Sequence, residues 1–152
     1  MYIPKHQNTK WQTSKEVDLK KCAILAIDLL GGSQGNIPVL DEAVKNANKI
    51  ISKAREKNIP IIFSCDAHIP GVDNELELWG EHGIKDSEAA KPLDIFNVTK
   101  KDFIVPKRRY NGFFQTDLDV IKRIRCRHFN CLWSRYKYMC SSNTCWCLFS
   151  QL

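Results

Sequence analysis

The stretch "CAILAID" (Cys22–Asp28) decides the fold class, because it is an apolar run that ends in a single acid. Six apolar residues, followed by the turn signal Gly31–Gly32, predict a strand buried on both faces. Apolar residues then recur at spacings of three and four, which predicts a helix from Pro38 to Lys57. A second apolar run, "IPIIFSC" (Ile59–Cys65), predicts another buried strand. This order of elements predicts a βαβ unit and a parallel sheet.

Two further elements are predicted downstream. The run "DFIVP" (Asp102–Pro106) is a candidate third strand. Thr116, with Asp119 three residues later, is typical of a helix N-terminus, and apolar residues follow it. The chain therefore continues to alternate strands and helices, as α/β proteins do.

The composition suits one compact domain, since 43% of the 152 residues are hydrophobic. No segment has the apolar run of a signal peptide or a membrane span, so we expect a cytoplasmic protein with reduced cysteines and no membrane partner. The net charge of +6 lies entirely in residues 122–152, which carry six basic residues, no acid and five of the seven cysteines. Basic residues and cysteines are features of nucleic-acid and zinc-binding segments. We nevertheless do not expect a nucleic-acid partner, because residues 1–120 carry no net charge, and the spacing of the tail cysteines matches no zinc pattern.

Reactive side chains stand at or just beyond the ends of all three predicted strands. They are Asp28, the pair Asp66 and His68, and Lys107. Ligands of open α/β sheets bind at the carboxyl ends of the strands, so these residues predict a site. Asp66 and His68 alternate along an extended segment and point the same way. With His82 they offer two imidazoles and a carboxylate, which suit Zn²⁺, Fe²⁺ or Mn²⁺.

Three stretches together resemble a known family. They are "AILAID" ending in Asp28, "DAH" with "WGEH" within residues 66–82, and "VPKRRYNGFFQTDLD" over residues 105–119. The combination resembles the isochorismatase-like cysteine hydrolases, within them the branch of nicotinamidase and N-carbamoylsarcosine amidase. The resemblance covers roughly residues 20–121 and implies a three-layer α/β/α fold of Rossmann-like type with a parallel sheet.

The resemblance also implies a Cys–Asp–Lys catalytic triad and a metal site. Asp28 matches the family's aspartate and Lys107 its lysine, while Asp66, His68 and His82 match ligands of a divalent metal, zinc first and iron or manganese as alternatives. A thiolate beside an ammonium group is a strong nucleophile toward an amide carbonyl. The aspartate takes the thiol proton and passes it to the leaving ammonia. The implied substrate is a small amide such as nicotinamide or a carbamoyl compound.

The chain departs from the family pattern at three places. Ser33 stands where the family commonly carries an aromatic residue near the substrate, and Asp86–Ser87 replaces its usual Gly-Thr. Both departures leave the substrate open. The third concerns the nucleophile, because the family motif, of the form G-x-x-T-N-x-C-V, has no match downstream of Lys107.

We interpret residues 122–152 as the product of a one-base frameshift near Lys122. If the last two bases of each codon are read with the first base of the next, Trp133–Ser134 encodes only glycine and Met139–Cys140 only cysteine. The codons between them permit G-x-D-T-N-I-C-V, and Cys126–Cys131 permits the strand V-D-I-L-I-V. The chain would then comprise an isochorismatase-like domain (residues 1–121) and an aberrant tail (residues 122–152).

Several consequences are expected from this interpretation. Cys140 is the nearest remnant of the nucleophile, the C-terminal strands are missing or scrambled, and the 152-residue chain is inactive or nearly so. The alternative is a non-catalytic protein that binds metal at Asp66, His68 and His82 and nucleic acid through the basic tail. A non-catalytic partner of an intact homologue is a third interpretation, because the family resemblance implies homo-oligomers.

Overall fold

The computed structural model describes the backbone of residues 19–31, 38–125, 128–133 and 145–147. Its strands are β1 (Cys22–Ile27), β2 (Ile61–Asp66), β3 (Phe103–Lys107), β4 (His128–Trp133) and β5 (Cys145–Cys147). Its α-helices are α1 (Pro38–Glu56), α2 (Glu75–Trp79) and α3 (Leu118–Arg125). Short 3-10 turns cover Leu19–Lys21, Glu88–Ala90 and Asp94–Phe96. None of the helices in these ranges combines the length and hydrophobicity needed to cross a bilayer.

The strands form one parallel sheet in the order β3-β2-β1-β4-β5. The chain proceeds outward from β1 to β3 on one side and then returns to the other side of β1 for β4. The reversal lies between β1 and β4, where Ile27 is paired with Ser64 on one side and with Trp133 on the other. In sheets of this kind the crevice at the reversal point is where ligands bind.

Apolar residues of alternating strand positions form two cores, one on each face of the sheet. On the first face α1 packs Ala47, Ile51 and Ala54 against side chains that include Phe63 and Phe96. The second face carries another core, to which α3 contributes. Its residues are Ala23, Leu25, Ile27, Ile62, Val105 and Leu118, with Phe103, Phe113 and Ile121 packed against them. Helices on both faces confirm the α/β class with a parallel sheet.

The end of α1 is set by Asn58, as its place in the sequence predicts. Asn58 has a φ of 55°, a left-handed conformation that asparagine tolerates better than most residues. Its N–H donates to the carbonyl of Arg55 and the next N–H, of Ile59, donates to that of Ala54, both at 2.9 Å. This pair of bonds is the Schellman motif, which satisfies helix carbonyls and turns the chain toward β2.

Two strands follow residue 121 in the described part of the chain. Residues 128–133 pair with β1 along its whole length, and residues 145–147 pair with β4. In "HFNCLW" the residues Phe129, Cys131 and Trp133 alternate with others, which is a short period-two pattern. Hydrogen bonds between parallel strands use backbone groups alone, so the free edge of β1 accepts this segment.

Candidate active site and metal centre

The ends of β1, β2 and β3 bring two carboxylates and one ammonium group together. Lys107 is the last residue of β3 and is almost fully buried, with 2% of its surface exposed. Its Nζ lies 3.1 Å from Oδ2 of Asp28 and forms a second ion pair with Oδ1 of Asp66. Asp28 follows β1 with a φ of 52°, and its N–H donates to the carbonyl of Ser64 at 2.9 Å. The three strand ends predicted to form a site therefore do meet.

Burial and charge shift the pKa values of this pair. Burial raises the pKa of Asp28 to about 6, although the Lys107 ammonium acts in the opposite direction. Burial also disfavours the charged form of Lys107, but the Asp28 and Asp66 carboxylates outweigh it and raise the lysine pKa. A carboxylate whose pKa lies near neutrality is suited to take a proton and return it. Lys107 supplies a fixed positive charge beside it.

Cys65 is one of the two cysteines whose side chains the structure describes, and it is not a substitute nucleophile. Cys65 belongs to β2, and its side chain lies in the core with Phe63 and Phe96. Burial, together with the charge of Asp28, raises the pKa of its thiol to about 12, so the thiol stays neutral. Cys140, the remnant that the sequence proposes, lies outside the described residues.

Asp66, His68 and His82 form a cluster of the kind that binds a metal. Each offers one ligand atom, and these atoms all lie within 4.8 Å of one another. The Nδ1 atom of His82 lies 2.8 Å from the carbonyl of Gly80, which only accepts hydrogen bonds. Nδ1 therefore carries the proton, and the Nε2 lone pair is left for a ligand.

The loop that returns His82 depends on Gly83. The carbonyl of Gly83 accepts the N–H of His68 at 2.8 Å, and the carbonyl of His68 accepts the N–H of Lys85 at 2.9 Å. Gly83 has a φ of 50°, and a Cβ added there would lie 2.5 Å from Cβ of Asp66. Only glycine permits this close approach of the loop to the end of β2.

The buried state of His68 supports a cation in this cluster. The residue has 0% of its surface exposed, yet neither ring nitrogen has a hydrogen-bond partner within the described part of the chain. A buried polar atom without a partner is costly, and coordination to a cation removes that cost. Two imidazoles and one carboxylate are a donor set that zinc accepts, and iron and manganese also suit it. The residues therefore fit a divalent metal.

The structure also adds three residues that the sequence interpretation gave no role. Asp73 is buried and accepts hydrogen bonds from Arg108 and Arg109, both of which follow Lys107 directly. Charged residues in a loop are usually solvated, so no pattern singled them out.

The positions at which the sequence departs from the family pattern are described in part. Asp86 and Ser87 form a turn, in which Asp86 has a φ of 64° and the hydroxyl of Ser87 donates to the carbonyl of Ile84. Ser33 lies outside the described residues.

The site and topology together define an α/β protein with a buried acid–lysine pair and a metal-type cluster at one sheet edge. The chain belongs to the isochorismatase family, since the model of the Isochorismatase domain matches residues 22–126. It is similar to a protein of Bacillus subtilis (strain 168) described as the uncharacterized isochorismatase family protein YwoC. The two are 30% identical over 118 residues, which are 72% of this chain and 60% of YwoC. This chain thus spans less than two thirds of that relative's length.

Solved structures agree with the family. The N-carbamoylsarcosine amidase of Thermoplasma acidophilum is 25% identical, with a TM-score of 0.68 over 74% of this chain and 67% of that one. The pyrazinamidase of Pyrococcus horikoshii, solved in complex with zinc, is 18% identical, with a TM-score of 0.65 over 76% of this chain and 71% of its own. The nicotinamidase of Bacillus subtilis is 17% identical, with a TM-score of 0.64 over 74% and 70% of the two chains. The last two show likeness of fold alone.

Proposed function

We propose that this chain descends from a cysteine hydrolase that cleaves a small amide and releases ammonia, of the nicotinamidase or carbamoyl-amide type. The observation that carries the proposal is the buried ion pair of Lys107 with Asp28, located at the carboxyl ends of the strands beside the Asp66–His68–His82 cluster. The likeness to an N-carbamoylsarcosine amidase supports the same class of substrate. Such a nucleophile needs a reducing compartment, so we place the protein in the cytoplasm.

In this mechanism each residue of the site has a distinct role. Asp28, ionised near neutral pH, accepts the proton of a cysteine thiol, and Lys107 stabilises the thiolate. The sulfur attacks the amide carbon, the C–N bond breaks, and Asp28 returns the proton to the leaving nitrogen. Water then cleaves the thioester to the acid. Asp66, His68 and His82 would hold a divalent ion, zinc first, and such an ion would supply Lewis acidity to the site.

We further propose that the 152-residue chain has little or no activity of this kind. The two cysteines that the described residues include with their side chains are both buried, and Cys65 has a neutral thiol. The test is ammonia release from nicotinamide and from N-carbamoylsarcosine by the purified chain. Turnover that thiol alkylation abolishes would contradict the proposed inactivity and would support the hydrolase class.

The frameshift interpretation gives the proposed inactivity a cause. β4 ends at Trp133, which is paired with Ile27, the residue before Asp28. In the shifted frame the motif G-x-D-T-N-I-C-V begins at this same point, so its cysteine would follow a strand that ends beside the acid–lysine pair. A shift near Lys122 would thus replace a nucleophile turn with the tail of residues 122–152.

Sequencing of the coding DNA across codons 115–152 tests this cause directly. One added or missing base near codon 122 restores the motif, whereas a DNA sequence in which neither single-base change yields it would exclude the frameshift. A chain expressed in the restored frame should release ammonia, and Lys107→Ala, Asp28→Asn and thiol alkylation should each remove that activity. A frame-restored chain that folds and still does not act on small amides would contradict the proposed substrate class.

A further inference from the structure

Asp73 is held as an anion by a clamp of two arginines next to the metal cluster. Its side chain is fully buried, and Arg108 reaches both of its oxygens, with Nη2 2.7 Å from Oδ1 and Nε 3.0 Å from Oδ2. Nη1 of Arg109 lies 2.7 Å from Oδ1, and the N–H of Ile69 donates to Oδ2 at 2.7 Å. The hydrogen bonds from Arg108 lower the pKa of Asp73 well below its usual range.

The two oxygens of Asp73 differ in their contacts. Oδ2 accepts fewer hydrogen bonds than Oδ1, and it is Oδ2 that faces the buried ring of His68. Both arginines contact Oδ1, while Oδ2 receives Arg108 Nε and the backbone N–H. Oδ2 also lies 4.0 Å from Nδ1 of His68, and on the other side of the ring Nε2 lies 3.7 Å from Oδ1 of Asp66. The His68 ring therefore has one carboxylate next to each nitrogen, but only Asp66 belongs to the metal cluster.

We propose that Asp73 is a positioning residue that keeps the proton of His68 on Nδ1 and so directs the Nε2 lone pair toward the metal position between Asp66 and His82. The inference rests on the metal centre of the proposed function. A carboxylate next to a ring nitrogen favours the tautomer with a proton there, so Asp66, 3.7 Å from Nε2, and Asp73, 4.0 Å from Nδ1, act in opposite directions. The charge of Asp66 is offset by the buried Lys107 ammonium, whereas the two arginines that pair with Asp73 are 40% and 48% exposed, so water screens their charge. The field of Asp73 therefore acts on Nδ1 without a direct hydrogen bond. Carboxylates behind metal-binding histidines fix the tautomer and raise the basicity of the ligand.

The competing explanation is that Asp73 only anchors its loop to Arg108 and Arg109. A structural role of that kind predicts lower stability on substitution but no effect on the tautomer of His68. The Asp73→Asn variant separates the two, because its amide can keep an oxygen toward the arginines and place an NH₂ donor toward Nδ1. That arrangement favours the opposite tautomer, in which Nε2 carries the proton and cannot bind a metal.

Asp102→Asn is the matched control. Asp102 is also a buried carboxylate that pairs with an arginine, Arg55 at 2.7 Å, and its Oδ2 also accepts a backbone N–H at 2.7 Å, from Thr99. It lies at the opposite end of β3 from Lys107, a distance of about 16 Å along the strand. The two substitutions therefore remove similar interactions, but only Asp73 lies near the ring of His68.

The experiment measures the tautomer of His68 and the affinity for Zn²⁺ in the full chain. Two-bond ¹⁵N–¹H spectra of ¹⁵N-histidine-labelled, metal-free protein at alkaline pH should show His68 protonated on Nδ1. Titration with Zn²⁺ should show about 10- to 100-fold weaker binding in Asp73→Asn, and no such loss in Asp102→Asn. His82→Ala removes one metal ligand, so its zinc affinity shows what loss a damaged site produces. The variant also helps to assign the histidine signals.

Each result decides between the two roles. A His68 proton on Nε2 in the parent chain overturns the inference without any substitution, even if Asp73→Asn does not fold. Equal zinc affinity of parent and folded Asp73→Asn also overturns it and leaves the metal centre standing. A parent chain that binds no Zn²⁺ overturns the metal centre itself and the role of Asp73 with it.

Discussion

The two halves of the site differ in how completely the protein satisfies its own polar groups. In the acid–lysine half, the Lys107 ammonium is buried between Asp28 and Asp66 and pairs with both. In the histidine half, both ring nitrogens of His68 lack a partner within the described residues, although the ring is fully buried. Asp66 belongs to both halves. The first half holds its own cation, the Lys107 ammonium, and the second has the donor atoms of a site that a bound cation would complete.

This difference separates stability from ligand binding. Removing a charge from the acid–lysine half should lower the free energy of unfolding even without a ligand, because it leaves buried charges uncompensated. Disturbing the histidine half should act mainly through the binding of a metal, since the ring nitrogens of His68 make no hydrogen bonds within the described residues that could be lost. Substitutions on either side of Asp66 can test the division.

The largest effect is expected from Lys107→Ala. The substitution leaves two carboxylates at the sheet edge without their cation, and loss of one partner of a buried ion pair costs about 3–5 kcal/mol. The measurement is the free energy of unfolding in urea. Lys91→Ala is the control, because Lys91 pairs with Glu88 at the surface, where a loss within about 0.5 kcal/mol is usual. Equal losses in the two variants would show that the Lys107 pair does not stabilise the fold.

The next effect is a dependence of stability on pH caused by Asp28. Its pKa is about 6 in the folded chain, against an ordinary 3.8, so between these values the folded state binds more protons than the unfolded state. The contribution of Asp28 is therefore fully present below pH 3.8 and is lost as pH rises through about 6. At 1.36 kcal/mol for each pKa unit, the loss is about 3 kcal/mol at most.

Comparison with Asp28→Asn isolates this contribution, because the amide does not titrate. Unfolding free energies are measured for both chains from pH 4 to pH 7. The parent should lose stability relative to Asp28→Asn as pH rises through this window. Parallel curves would mean that Asp28 has an ordinary pKa in the folded state, which would remove its suitability as a base near neutrality.

The strands β1 to β3 and the residues at their ends were predictable because the signals are local. An apolar run that ends in an acid, such as Cys22–Asp28, contains both the strand and the polar residue that follows it. Topology then places Asp28, Asp66 and Lys107 at one edge without further information. The helix from Pro38 was also predictable, and the structure ends it at Glu56, one residue earlier than expected.

The clamp around Asp73 and the fourth strand were not predictable in the same way. Asp73 and Arg108 lie 35 positions apart, and nothing in their local sequence distinguishes a buried ion pair from two solvated charges. β4 forms because the edge of β1 offers unpaired backbone groups, as much as because of its own sequence. The weak alternation of apolar residues in His128–Trp133 was therefore not enough to predict the strand. In both cases the deciding interaction is made with a distant segment.

The smallest effect, and the one that reaches the shared residue Asp66, is expected from Gly83→Ala. An added Cβ would lie 2.5 Å from Cβ of Asp66, so the loop must shift and carry His82 away from the cluster. Gly71→Ala is a closely matched control, because Gly71 also has a positive φ, of 73°, but apart from its chain neighbours no atom of the described residues lies within 4 Å of its added Cβ. Both variants bear the backbone strain of a left-handed residue, and only one adds the collision.

The unfolding free energy of Gly83→Ala should therefore fall below that of Gly71→Ala by about 1–2 kcal/mol, in the lower part of the usual range for overpacking, because a loop can shift more easily than a core. Zn²⁺ affinity should fall in Gly83→Ala alone, because displacement of His82 changes the positions of the ligands without changing their identity. If the two variants are equally stable but Gly83→Ala binds zinc more weakly, the loop accommodates the added methyl group by moving, and only the geometry of the metal site is affected. Equal values of both quantities would show that His82 does not depend on the contact between Gly83 and Asp66.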